Sequence, residues 1–186
     1  NCEDGVPCFS LSKNDSYVLS ASGGRVSLFN MKTFKIMGTF MPPPPTATFL
    51  AFYPEDNNII AAGLDDSTIL IYNIRADKVK SRLRGHHKHI TGLTFSLALG
   101  VLASSGADSQ VFIWNMDGWE RQSGRLVQIP NGKGVATCLQ FHHDQIHLLS
   151  IHETQIVLYE APKLKFRKQW APLEASVRIT DATFSF

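Results

Sequence analysis

The chain has 186 residues and a formal net charge of +2, with 18 Lys and Arg against 16 Asp and Glu. A net charge this small excludes a function in which the electrostatic field of the whole chain attracts nucleic acid or an anionic membrane. A hydrophobic content of 44% excludes intrinsic disorder and predicts a buried core.

Two sets of residues recur along the chain with the same period. The first set is aromatic and follows short aliphatic runs; its members, Phe29, Tyr72, Trp114 and Tyr159, are separated by 43, 42 and 45 residues. The second set precedes the first within each period and consists of Leu11, Phe52, Phe95, Phe141 and Phe184. A period of about 43 residues is typical of four-stranded propeller blades.

We place the repeats at residues 6–41, 46–86, 89–130 and 134–171, with the start of a further repeat at 175–186. Within the third repeat, the alternation and turn signals predict strands at 90–95, 101–105, 110–114 and 125–129. No segment has an apolar period of 3.6 residues, so almost no helix is expected. The predicted fold is an all-β propeller fragment of four four-stranded blades plus the first strand of a fifth.

A Gly-His pair that precedes Trp114 by 28 residues resembles the GH…WD signature of the WD40 repeat. In that family, a His, a Ser or Thr, an Asp and the Trp form a chain of hydrogen bonds. The other repeats depart from this pattern, with Ala62 in place of the Ser or Thr and Gly23 and Glu153 in place of the Asp. The matching residues in the third repeat are His86, Ser104, Asp108 and Trp114.

No motif for a nucleophile, a phosphate-binding loop or a zinc protease occurs, so we expect a protein that is not an enzyme and has no cofactor. Histidines cluster at 86–89 and 142–152, but without the helical or knuckle spacing of common metal sites. We expect structural or surface roles for them and no metal site. His142, His143 and Asp144 fall where the repeat predicts a hairpin loop. The cysteines Cys2, Cys8 and Cys138 form no CxxC pair, which favours a reducing compartment.

Lys78, Lys80, Arg82 and Arg84 alternate with other residues, which predicts one basic face on a strand. Such cations can protect an exposed sheet edge, or they can form a patch for an acidic partner, a histone tail or nucleic acid. Interleaved aromatics are absent, so direct nucleic-acid binding is not expected. The cluster Lys163, Lys165, Arg167 and Lys168 has the same two interpretations. The candidate partner-binding residues are Arg84, His87, Lys88, His89 and the turn residue Trp119.

Whole phrases of the sequence resemble the WD40 region of the Topless family of plant transcriptional corepressors. The most specific phrase is Phe40 and Met41 followed by four prolines. The resemblance extends from the first repeat to about Trp170. Its other segments lie at 20–24, 26–31, 48–52, 56–61, 65–69, 104–108 and 117–120.

The resemblance implies a nuclear, non-catalytic protein-interaction scaffold that acts in gene repression and in auxin-type and jasmonate-type hormone signalling. Its implied partners are transcription factors or adaptor repressors, bound through a helical, dimerising region absent from these residues, and chromatin-modifying complexes. A WD40 scaffold of a non-nuclear complex, in trafficking or ubiquitin ligation, has the same repeats. The start at Asn1 and the last, strand-like residues predict a piece of a longer protein. An open arc of blades predicts marginal stability or aggregation for that piece alone.

Overall fold

The computed structural model describes residues 8–22, 25–42, 44–127, 138–172 and 178–185. Sixteen β-strands occur there, arranged in four antiparallel sheets of four strands, and these residues contain no helix. The predicted all-β, four-stranded repeat architecture is confirmed. No helix long and apolar enough to cross a membrane is found among the described residues.

Each sheet is built from four consecutive strands in chain order. The chain divides into two compact units, Asn1–Ile90 and Thr91–Phe186. In the first unit, sheet 1 contains β1 (Cys8–Leu11), β2 (Tyr17–Ser22), β3 (Arg25–Asn30) and β4 (Lys35–Phe40). Sheet 2 contains β5 (Ala47–Phe52), β6 (Ile59–Leu64), β7 (Ile69–Asn73) and β8 (Lys78–Leu83).

The second unit contains the other two sheets, apart from Ile90, the first residue of β9. Sheet 3 consists of β9 (Ile90–Ser96), β10 (Val101–Gly106), β11 (Gln110–Asn115) and β12 (Arg121–Leu126). Sheet 4 consists of β13 (Cys138–Phe141), β14 (His147–His152), β15 (Gln155–Glu160) and β16 (Lys165–Trp170). Each is a meander in which neighbouring strands are joined by short turns.

Apolar side chains of neighbouring sheets form a core in each unit. In the first unit, Leu19 and Val26 of sheet 1 belong to one buried cluster with Leu50, Ile60 and Tyr72 of sheet 2. In the second unit, the cluster joins residues of sheets 3 and 4, including Val101, Ile113, Leu148, Tyr159 and Leu164. Each sheet thus buries apolar surface against its neighbour in the same unit, which a lone four-stranded sheet cannot do.

One irregularity recurs in all four sheets. The pairing between the third and fourth strands shifts by one residue just before each periodic aromatic, a β-bulge that leaves one fourth-strand residue without a cross-strand partner. Five residues after each aromatic, a turn residue has a positive φ between 50° and 59°. These turn residues are Phe34, Asp77, Trp119 and Leu164. The four aromatics therefore occupy equivalent positions, as repeated blades require.

Two predicted strands differ from the structure. The fourth strand of the third repeat was expected at 125–129 but lies at Arg121–Leu126. The turn closes early, with Asn115 N–H donating to Glu120 O at 2.8 Å and Trp119 at positive φ, so pairing begins at Arg121. Residues 128–129 lie outside the described residues.

The expected first strand of a fifth repeat is not a strand in residues 178–185. The first strand of a blade is hydrogen bonded to the second strand of the same repeat. These 186 residues include no second strand of the fifth repeat. Ile179 N–H instead donates to Glu153 O, in the turn between β14 and β15, at 2.7 Å.

Candidate functional site

The third repeat contains a buried hydrogen bond between two residues of the predicted WD40 set. Trp114, on β11, is 2% exposed, and its indole Nε1–H donates to Ser104 Oγ on β10 at 2.8 Å. A buried indole N–H needs such an acceptor. Asp108 accepts from Gln110 N–H at 3.1 Å and so shapes the turn that precedes β11. His86 is 5% exposed in the first unit, and its link to the other three residues stays a prediction.

The strongest concentration of charge in the first unit is a stretch that we call the basic segment, residues 78–89. It contains five cations, Lys78, Lys80, Arg82, Arg84 and Lys88, and no Asp or Glu. All five are exposed. Among the described residues of the first unit, no ion pair joins any of them to a carboxylate. The basic segment therefore presents five exposed cations, none of which forms an ion pair with a described carboxylate of its own unit.

The structure corrects the prediction that the alternating cations share one strand face. The bulge in β8 leaves Lys80 without a cross-strand partner, and Val79 then pairs with Tyr72 while Arg82 pairs with Leu70. Strict alternation would place residues 79 and 82 on opposite faces, but both line one groove. The cations are therefore distributed over more than one face of β8.

That groove, which we call the β8 groove, has a volume of about 360 Å³. Its apolar lining includes Phe40 of β4, Pro45 of the proline-rich connector, and Tyr72 and Val79 of sheet 2. Arg82 contributes a guanidinium group to the same lining. The groove thus combines apolar surface with one cation, Arg82, and one carboxylate, Asp77, beside the edge of a sheet, because β8 is the last strand of sheet 2.

The remaining predicted contact residues lie in two places. His87, Lys88 and His89 are exposed in the loop that follows β8. Trp119 is half-buried in the second unit, in the turn between β11 and β12. The structure therefore groups Arg84, His87, Lys88 and His89 along one segment and gives Trp119 a separate turn position.

The second basic cluster, on and before β16, differs from the basic segment in its contacts. Arg167 forms an ion pair with Glu160 of β15. Lys168 has its ammonium group 5.1 Å from the centre of the Trp170 ring, a cation–π distance. Part of this charge is therefore engaged within sheet 4, whereas no described carboxylate of the first unit forms an ion pair with the basic segment.

A second group of polar side chains lies in the β13–β14 hairpin, where the sequence predicted only a loop. Asp144 Oδ2 is 2.9 Å from His142 Nδ1 and 2.6 Å from His147 Nδ1. Burial works to raise the pKa of Asp144, but hydrogen bonds from the His147 N–H, the His147 ring, the Ile146 N–H and the His142 ring outweigh it and hold this pKa well below its usual range. The one available signal for this cluster was the H-x-D-x-x-H spacing at 142–147.

Comparisons with known proteins agree with this architecture. Residues 77–115 match the family described as WD domain, G-beta repeat. The whole chain aligns with Topless-related protein 1 and with Protein TOPLESS of Arabidopsis thaliana, at 62% identity over 189 residues in each case. It also aligns with Protein TPR3 of Oryza sativa subsp. japonica at 61% identity. The chain spans 17% of the length of each of these relatives.

Proposed function

Since this chain belongs to the Topless family, we propose that it is a non-catalytic protein-interaction module of a transcriptional corepressor scaffold. The family resemblance supports three finer proposals: that the parent protein acts in the nucleus, that it works in auxin-type and jasmonate-type signalling, and that it holds chromatin-modifying complexes. No feature of the described residues favours the alternative of a trafficking or ubiquitin-ligase scaffold.

The observation that carries the proposal for this segment is the set of five exposed cations in the basic segment. Long-range attraction between exposed charges raises the rate of encounter with an oppositely charged partner. Five exposed cations, none of them in an ion pair with a described carboxylate of their unit, favour an acidic chain at this surface. We therefore propose that an acidic protein segment binds at Arg84, His87, Lys88 and His89.

The β8 groove supports a partner that is extended and carries apolar as well as acidic side chains. The free edge of β8 offers backbone hydrogen-bonding groups to an added strand. Phe40, Tyr72 and Val79 offer apolar surface beside it, while Arg82 can pair with a carboxylate in the same groove. Alternating acidic and apolar residues in the partner match this arrangement, since strand side chains alternate between two faces.

The test is a double charge reversal, Arg84→Glu with Lys88→Glu, in the full-length protein. A fluorescent peptide of alternating Glu and Val residues is the probe, and its dissociation constant is measured at low salt. We expect about tenfold weaker binding, which corresponds to about 1.4 kcal/mol. Raising the salt should weaken binding to the native protein because exposed charges are screened.

The matched control is Lys163→Glu with Lys165→Glu, which changes the net charge by the same amount in the second unit. It should leave peptide binding within about twofold of the native protein. The same two double variants, tethered to a reporter promoter, test the corepressor role: only the first should relieve repression. Unchanged peptide binding by the Arg84 and Lys88 variant at low salt would rule out this surface.

A further inference from the structure

The β13–β14 hairpin brings two imidazole rings and one carboxylate to a common point. The donor atoms of His142, Asp144 and His147 all lie within 4.8 Å of one another. Their side chains are 22%, 32% and 38% exposed, in that order, so an ion can reach them from solvent. Imidazole and carboxylate groups are the ligands that zinc and similar divalent transition metals accept.

The hairpin holds the carboxylate in one orientation. Asp144 Oδ1 accepts from the backbone N–H groups of Ile146 at 2.8 Å and His147 at 2.9 Å. These two bonds occupy one oxygen and direct the other, Oδ2, toward both rings. The carboxylate is thus oriented by the backbone before any ion binds, as a metal ligand needs to be.

The rings are held as well. The His142 ring contacts the His143 ring, at 3.7 Å between centroids, and the Phe184 ring, at 4.4 Å in a T-shaped arrangement. His147 is the first residue of β14, so its backbone is fixed by the ladder of sheet 4. His142 follows β13, Asp144 lies in the turn and His147 begins β14, so the three side chains can chelate one ion.

Two contacts of the His142 Nδ1 atom need opposite protonation states of that atom. His142 Nδ1 is 3.3 Å from the Asp144 N–H, which requires a lone pair on that nitrogen, and 2.9 Å from Asp144 Oδ2, which requires a proton on it. A neutral ring cannot satisfy both contacts in one tautomer. A cation bound between Oδ2 and His142 Nδ1 removes this conflict, because both atoms then offer it an electron pair and it takes the place of the 3.3 Å contact with the Asp144 N–H.

We infer that His142, Asp144 and His147 form a binding site for a divalent transition metal of the zinc type, with water completing the coordination. Two neutral nitrogens and one anionic oxygen are ligands that zinc accepts at about 2.0–2.2 Å. Asp144 Oδ2 lies 2.9 Å from His142 Nδ1 and 2.6 Å from His147 Nδ1, so these donor atoms must separate by a few tenths of an ångström when the ion binds. The ion ties the strand ends of the hairpin together and so stabilises the start of sheet 4. This inference is independent of the proposed interaction function.

The experiment is a titration of the metal-free, full-length protein with Zn²⁺ and separately with Co²⁺. The informative variant is Asp144→Asn, because the Asn side-chain oxygen can still accept from the two backbone N–H groups while the negative charge is lost. We expect one fewer Zn²⁺ bound, or Zn²⁺ affinity at least about tenfold lower, and loss of the Co²⁺ absorption band of a tetrahedral site. Zn²⁺ should raise the melting temperature of the native protein but not that of Asp144→Asn.

His89→Gln is the control, since it removes an exposed histidine from the first unit and should bind Zn²⁺ as the native protein does. His147→Gln is a second site variant that keeps Asp144 and its hydrogen bonds to the backbone. It replaces Asp144→Asn in the comparison if Asp144→Asn lowers the melting temperature in EDTA, which would show that the substitution destabilises the metal-free fold. The inference is overturned if both site variants bind Zn²⁺ with native stoichiometry and affinity, or if the native protein shows no saturable binding.

Discussion

At the scale of single residues, the periodic aromatic of the second repeat shows how a strand position and a turn position are linked. Tyr72, 6% exposed on β7, donates its hydroxyl proton to the carboxylate of Asp77, the turn residue with a φ of 50°. Burial, then the hydrogen bond to Asp77 and the charge of that carboxylate, raise the pKa of Tyr72 to about 12. The bond joins the strand to the turn that precedes β8 and so supports the β8 groove.

This raised pKa predicts a loss of stability in alkali. The unfolded tyrosine ionises near pH 10, whereas the folded one ionises near pH 12. Its stabilising contribution is therefore fully present below pH 10 and is lost as the pH rises toward 12. Tyr72→Phe should flatten the fall in unfolding free energy over this range, measured by urea denaturation at several pH values. An alkaline slope in Tyr72→Phe as steep as in the native protein would contradict this role of the Tyr72 hydroxyl.

At the scale of elements, the fourth strand of sheet 3 is attached to sheet 4 by polar contacts rather than by apolar burial. Arg125 Nη1–H donates to Leu164 O at 3.1 Å, and its guanidinium carbon is 5.6 Å from the centre of the Tyr159 ring. Ser123 Oγ–H donates to Pro162 O at 2.6 Å. Both acceptors belong to the turn between β15 and β16, so β12 contacts sheet 4 at one short stretch.

Arg125→Ala should lower the unfolding free energy by about 1 kcal/mol, since it removes a hydrogen bond and a cation–π contact. Arg125→Lys should restore part of this loss because an ammonium group can still approach the Tyr159 ring. Chemical denaturation followed by Trp fluorescence measures both effects. Gln122→Ala, at the exposed bulge of the same strand, should change stability by less than about 0.5 kcal/mol. An equal loss in Gln122→Ala and Arg125→Ala would contradict the role assigned to Arg125.

At the scale of the whole molecule, burial is distributed unequally within every repeat. All six residues of β6 and of β10 are buried, whereas all six residues of β16 are exposed and most of β8 and β12 are exposed. Stability is therefore concentrated in the second and third strands of sheets 2 and 3. The fourth strands are held mainly by the hydrogen bonds to one neighbouring strand.

Amide hydrogen exchange should reproduce this gradient. The amides of β6 and β10 should exchange slowest, because opening them requires breaking the core of a unit. The amides of β16 should exchange fastest among the strands of sheet 4. Mass spectrometry of peptic fragments measures the rates, with the paired strands β14 and β15 as the reference within the same sheet. Protection of β16 equal to that of β10 would contradict the assignment.

Much of the fold followed from local sequence patterns. The spacing of Phe29, Tyr72, Trp114 and Tyr159 predicted four equivalent sheets, because each aromatic stands at the same register position of a repeated unit. Three of the four strands predicted for the third repeat match β9, β10 and β11 to within a residue. The fourth strand was displaced because the turn needs a positive φ at Trp119, and a Trp residue does not predict that conformation.

The candidate sites were less predictable, and the reason differs between them. The basic segment was visible as a run of cations, yet the bulge at Lys80 changed which side chains face together, since one inserted residue inverts the alternation of a strand. The absence of carboxylate partners around it depends on which acidic residues the fold brings near. His142 and His147 were dismissed as metal ligands because their spacing matches no helical motif, whereas a hairpin turn brings them to Asp144.

The sequence by itself thus determined the all-β fold class of this protein and its repeating four-stranded sheets, since periodic aromatics and strand alternation act over a few neighbouring residues. Its family followed from the resemblance of whole sequence phrases. Only the tertiary structure decided that the cations at 78–88 form no ion pair with the described carboxylates of their unit, and that two histidines converge on Asp144. Those outcomes depend on bulges, turn dihedrals and packing between sheets, which place side chains at distances that spacing along the chain does not encode.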